Sequence, residues 1–450
     1  MESRRIFLLV GLGYLAFVVY GSLVPFDFRP LPLDAALRAF AHIRYLKLGI
    51  DSRADWVANI LLYIPLPFLW LGAVSSEGRY FRQLFFSVFF FLFFVALSVT
   101  IEFTQQFFPP RTVSLNDIIA EVFGTAIGVM IWWSSGTKIR ALVQSVLAQG
   151  RNAAIAGLIL YTIGYLAFSL FPYDFLISAQ EIQGKLSGRY FHWFASADTC
   201  GGTLRCGAKL MAEAAAVAPL GLLIGFASRR TGWPLVRSAI WMGSGLGLII
   251  ETLQFFLVSG LTLGASVLTR AIGVAAGAAA GDRFRQTSLW PVLYLLRPFI
   301  PVTGAAYAFL LGAVTWLNHG PILTVQESLE RLGTIRFVPF YYHYYTSESA
   351  AMSSLLAVAI MFFPIGIQYW IWRITRLREF VARGVFTAGF IGGAVSLAVE
   401  IGKLFLASAR PDPTNVLIGA LAAAAGYACS AIGTKVSLAV TPLDDDGTLE

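Results

Sequence analysis

IEFTQQFF (101–108), IETLQFFL (250–257) and VEIGKLFL (399–406) are the stretches on which the reading of this chain turns. Each places an acid second, at Glu102, Glu251 and Glu400, with successive acids 149 positions apart. Three residues later comes a long polar side chain: Gln105, Gln254 and Lys403. The register continues into the next helix, where Gly124 matches Gly273 and Gly128 matches Gly277 and Gly426. Spacing held through a helix, a turn and a second helix predicts internal triplication. The expected segments are 1–140, 150–287 and 291–436, with an acidic tail over 437–450.

Outward from these stretches the chain is apolar. It is 57% hydrophobic and 13% charged, about half the charge of a soluble domain. Apolar runs of roughly 18–23 residues, each long enough to cross about 30 Å of hydrocarbon, recur about twelve times, four per segment. The expected fold class is therefore all-α: a polytopic membrane protein of about twelve helices in three parallel four-helix repeats. The first run ends in Ser-Leu-Val-Pro-Phe-Asp-Phe, which lacks a small-x-small cleavage pattern and returns as Ser-Leu-Phe-Pro-Tyr-Asp-Phe at 169–175. It is expected to stay in the protein.

Arg4 and Arg5 precede the first helix, and Arg79, Arg82, Lys138, Arg140, Arg229, Arg230, Arg283, Arg285, Arg373, Arg376, Arg378 and Arg383 fall in short loops on the same side, which the positive-inside tendency makes cytoplasmic, with both termini. The net charge of +8 is thus topology signal and calls for no nucleic-acid partner. The longer loops, roughly 25–54, 172–207 and 317–350, fall on the outer side. They hold His42, His192 and His343 among aromatic residues, each after an arginine (Arg38, Arg189 and Arg336). The first reading is an interfacial belt, with capture of an anionic head group by Arg and His, or metal binding by the pooled histidines, as alternatives, and no cofactor is expected. Cys200 and Cys206 flank Gly-Gly-Thr-Leu-Arg in one of these loops and are candidates for a disulfide.

Ionisable groups inside apolar helices are costly and mark functional candidates. Ser98, Glu102 and Gln105 share a helical face. Asp117 and Glu121 share a face of the next helix, and Asp55 and Asn59 share one of the second helix. Arg111 comes after Pro109 and Pro110 at the turn and is expected to pair with Glu102, leaving Gln105 for a ligand. The set is expected to converge at the outer head-group level.

Asp55-x-x-x-Asn59 running into Tyr-Ile-Pro-Leu-Pro (63–67), then Ser98-x-x-x-Glu102-x-x-Gln105, Arg111 and Asn116-Asp117 leading to Gly124 and Gly128, resembles the VanZ-like membrane proteins over residues 20–133. The family pattern has Asp where Ser114 stands and Asn where Glu121 stands, so the first segment departs from it at two positions. The later segments keep the order but are eroded: Ser266 and Arg270, then Asn415 and Gly419, stand for Asp117 and Glu121. The resemblance implies a bacterial envelope protein of the cytoplasmic membrane, in glycopeptide-resistance or exopolysaccharide settings. It implies no reaction.

Three functions remain open at this level. The first is binding of a lipid-linked or glycan anion, such as a peptidoglycan precursor, at the outer leaflet. There Arg111 would meet the anion, and Glu102, Gln105 and Asp117 would meet hydroxyl or amide groups. The second is an enzyme using Glu102 or Asp117 as general base, against which stands the lack of a nucleophile–His pair in the helices. The third is a transporter or lipid flippase, against which stand inner helix halves such as FFSVFFFLFFVAL (85–97) with no polar path.

Overall fold

The fold is seen in a computed structural model. It describes residues 2–45, 49–75, 80–147, 150–187, 191–192, 202–260, 262–286, 290–317, 320–377 and 384–440. Helix accounts for 81% of the described residues, and among them twelve helices are long and apolar enough to cross a membrane. The described residues form two compact units, one over 2–286 with 439–440 and the other over 290–438.

The first unit begins with α1 (Glu2–Leu23) and a short α2 (Leu33–Ala41), then α3 (Ile50–Tyr63), α4 (Pro65–Val74), α5 (Tyr80–Gln105) and α6 (Leu115–Leu147). It continues with α7 (Arg151–Ser169), a short α8 (Ala179–Ser187), α9 (Thr203–Ala227), α10 (Gly232–Phe255) and α11 (Gly264–Gln286). A two-residue parallel pairing joins Phe191–His192 to Thr262–Leu263. The second unit holds α12 (Trp290–Leu296), α13 (Ile300–Trp316), α14 (Val325–Leu332), α15 (Tyr341–Tyr344), α16 (Glu348–Leu377), α17 (Gly384–Leu404) and α18 (Pro413–Val440).

The phenylalanine run of α5 shows how sequence becomes packing. Every fourth residue lies on one face. Phe90 and Phe94 are buried against Tyr63 and Leu66, while Phe85, Phe89 and Phe93 point outward. Outward aromatics suit a helix solvated by lipid rather than water. The inward row continues through Ser98 and Glu102. The same stripe is therefore apolar along most of the helix and polar at its last turns.

The expected span 55–74 is α3 followed directly by α4, one crossing over Arg53–Val74 in which Ile64 keeps helical angles and Pro65 offers no amide hydrogen to the ladder. Pro219 and Pro364 sit likewise inside α9 and α16. The carbonyl before each proline meets a glycine of another helix. A Cβ on Gly128 would stand 2.2 Å from the Ile64 oxygen, on Gly277 2.0 Å from Ala218, and on Gly426 2.2 Å from Phe363. Small residues let membrane helices approach this closely, and packing there drives association in place of the hydrophobic effect. Gly277→Ala is expected to cost about 1–3 kcal/mol through overpacking. Gly245→Ala, with open space around it, should be neutral or slightly stabilising. Thermal unfolding midpoints in detergent, compared side by side, test the difference.

The turns after the acidic helices close alike. The amides of Arg29, Leu176 and Leu323 donate to the carbonyls of Phe107, Phe256 and Phe405, each at 2.8 Å. Within the first unit, Arg53 also donates twice to Glu181, at 3.0 Å. With the Ile177 and Ser178 amides, it holds the Glu181 carboxyl down at about 2. A depressed folded-state pKa means a contribution that is full above the ordinary carboxylate range and lost as pH falls towards 2. Wild-type protein should therefore lose more of its melting temperature than Glu181→Gln between pH 4.5 and 2.5. Equal acid sensitivity of the two would refute this.

Candidate functional site

The first segment collects its acids where α5 ends and α6 begins. Ser114 caps α6: its hydroxyl accepts from the Asp117 amide at 3.2 Å and donates to the Asp117 carboxylate at 2.6 Å. The Ser114 amide donates to Glu102 at 3.3 Å. Glu102 thus answers an amide that the helix start leaves without an intrahelical acceptor. Asn59 donates to the other oxygen of Asp117 at 2.7 Å, bringing in α3. Ser98 donates to Glu121, bridging α5 and α6. Glu102, Glu121 and Ser98 are at most 3% exposed. Asp55 is exposed, within electrostatic reach of Asp117.

Two expectations change here. Glu102 accepts its hydrogen bond from the Ser114 amide, while Arg111 donates to the Gly21 carbonyl and acts on Glu102 only electrostatically. The tight turn aims the guanidinium at the end of α1, which the sequence spacing did not reveal. Gln105 is not left for a ligand: it donates to the Ser22 carbonyl at 2.9 Å, tying α5 to α1. Gln254 does the same to Ser169 at 2.8 Å. Tyr63, fully buried with its hydroxyl towards Glu121 and Ser98, was missed as a site residue. Its position four residues after Asn59 was the available signal.

The corresponding places in the other segments share one bond and differ in charge. Glu251 accepts from the Leu263 amide at 2.7 Å, and Glu400 from the Asp412 amide at 2.8 Å. Like Glu102, each reaches the amide twelve residues on. Glu251 also faces Arg270 at 2.5 Å, and Arg270 lies 3.8 Å from Glu213 and donates to the Tyr165 hydroxyl at 3.1 Å. Glu400 meets Lys403 at 2.7 Å and the Asn415 amide group at 2.8 Å. Arg270 occupies the position of Glu121, and Lys403 that of Gln105. The second and third segments thus place a cation directly on their central acid. The first surrounds it with Asp117 and Glu121.

Elsewhere, the His42 ring turns back to the Arg38 carbonyl at 2.8 Å, and His343 lies 3.4 Å from Asp412. The His192 side chain is outside the described residues, and among those described no group of His, Cys, Asp or Glu has the form of a metal site. Cys206 is disulfide-bonded, while Cys200 lies outside the described residues.

The fold and this polar end together define a polytopic helical membrane protein. Residues 7–137 match the VanZ/LLP1 family model, so α1 to α6 form a VanZ-like domain. No curated protein and no solved structure matches the chain.

Proposed function

We propose that the chain is built from three copies of one four-helix unit, and that the first copy binds the polar head group of a lipid-linked or glycan-bearing anion at the outer leaflet. The recurring turn bonds, the glycine contacts at the residue before each proline and the acid-to-amide bonds twelve residues on support the repeat. The charge balance around Glu102 carries the binding reading. Buried charges are paired in folded proteins, because an unpaired one is expensive. Two copies close their central acid with their own Arg or Lys. The first instead offers the acceptors of Glu102, Asp117 and Glu121 to the hydroxyl or amide hydrogens of a ligand. Arg111 stands nearby for a phosphate or carboxylate.

The setting of this reading is the bacterial cytoplasmic membrane, with both termini inside and membrane lipid as the solvent of the helices. A lipid-linked glycan or peptidoglycan precursor has the required chemistry, and links the protein to the cell envelope and to glycopeptide resistance. Native mass spectrometry of the full chain from mild detergent tests it. Wild type should retain a head-group-bearing molecule, and Glu102→Gln should retain about tenfold less. Equal retention by both would overturn the reading.

A further inference from the structure

A second place suited to a ligand lies in the other unit, on different chemistry. The loop leading from α14 into α15 and the turn between α17 and α18 enclose a groove of about 650 Å³. That is within the range of small-molecule sites, roughly 300–1,000 Å³. Its walls are Arg331, Arg410, Tyr341, Tyr342, Tyr345 and Ser408.

The two arginines differ in role. Arg331 is engaged in structure, donating to the carbonyls of Leu406 at 2.5 Å and Ala409 at 2.6 Å. Arg410 is exposed, with its guanidinium 5.0 Å from the centre of the Tyr342 ring. Among the described residues no carboxylate lies within 4.0 Å of Arg410. Asp412, two residues on, is turned to the Thr414 amide at 2.9 Å and to His343. Stacking on a ring fixes the plane of the guanidinium while leaving its N–H edge for an anion. Tyr341 packs against Tyr342 and Tyr345 with ring centres 5.4 Å apart in both pairs, and Arg336 sits over Tyr341 at 5.8 Å. The groove is thus cationic and walled by aromatic faces, and no acid lines it.

We infer that this groove binds the phosphate of an anionic head group, with Arg410 on the phosphate and the tyrosine rings against the hydroxylated remainder. Phosphate favours arginine because the fork of N–H groups matches its oxygens. The inference is independent of the buried acids around Glu102, since it uses no residue of that unit.

The test uses the full chain in detergent and native mass spectrometry with added dioctanoyl phosphatidylglycerol or phosphatidylcholine. Wild type should bind the anionic lipid at least tenfold more tightly. Arg410→Ala should lose that preference with an unchanged melting temperature, Arg410→Lys should keep part of it, and Glu102→Gln should keep all of it. If Arg410→Ala proves unstable, the exposed Tyr345→Leu replaces it, with a weaker loss expected. Competition by soluble glycerol phosphate assigns recognition to the phosphate alone, and lack of competition assigns it to the membrane-held diester. Equal binding of the two lipids by wild type, or full preference in a stable Arg410→Ala or in Tyr345→Leu, would overturn the inference.

Discussion

Arg270→Ala is expected to cost about 3–5 kcal/mol of stability, because it strips the guanidinium from two acids at once. Glu251 would keep only the Leu263 amide, and Glu213 would keep Lys209 at 4.0 Å and the Thr269 hydroxyl at 3.4 Å. Breaking a buried pair by removing one partner costs more than the pair was worth, since a desolvated charge is left behind. Adding Glu251→Gln to Arg270→Ala should therefore recover much of the loss, because the amide oxygen can still accept from Leu263 and the carboxylate that remains, Glu213, keeps Lys209. Reversible unfolding in a bilayer or mixed micelle measures both variants. A single mutant as stable as wild type would show that Arg270 is not holding these charges.

Glu121→Arg should do the opposite: leave the fold intact and abolish ligand retention. It writes the arrangement of Arg270 and Glu251 into the first segment, where the new guanidinium would face Glu102 and fill the acceptor-rich space. The expected result is a melting temperature equal to or above wild type and at least a tenfold loss of bound head group. Glu121→Gln serves as the control, since it keeps size and removes charge without supplying a cation. Undiminished retention in a folded Glu121→Arg protein would move the ligand site elsewhere.

Much of this was legible in the residues. Helix number came from apolar runs, since the bilayer sets their length. The convergence of Ser98, Glu102, Asp117 and Glu121 came from spacings of three and four on adjoining helices. What escaped was the direction in which groups bond across a turn. Arg111 and Glu102 sit close in sequence, yet a carbonyl of α1 takes the guanidinium, and that carbonyl is ninety residues away. Gln105 likewise reaches α1 through a contact with no local periodicity.

The bond from each central acid to the amide twelve residues ahead bears on how the chain enters the membrane. A pair of apolar helices leaving the insertion machinery carries two liabilities at its turn: a charged side chain, and a helix start with unanswered amides. Here the two meet. The carboxylate of α5 answers α6, that of α10 answers the start of α11, and that of α17 answers α18. Each hairpin therefore reaches the lipid with part of its polar cost settled inside itself, before any neighbour arrives. Biogenesis can then proceed pair by pair, and removing one carboxylate should show first as a hairpin delayed in integration.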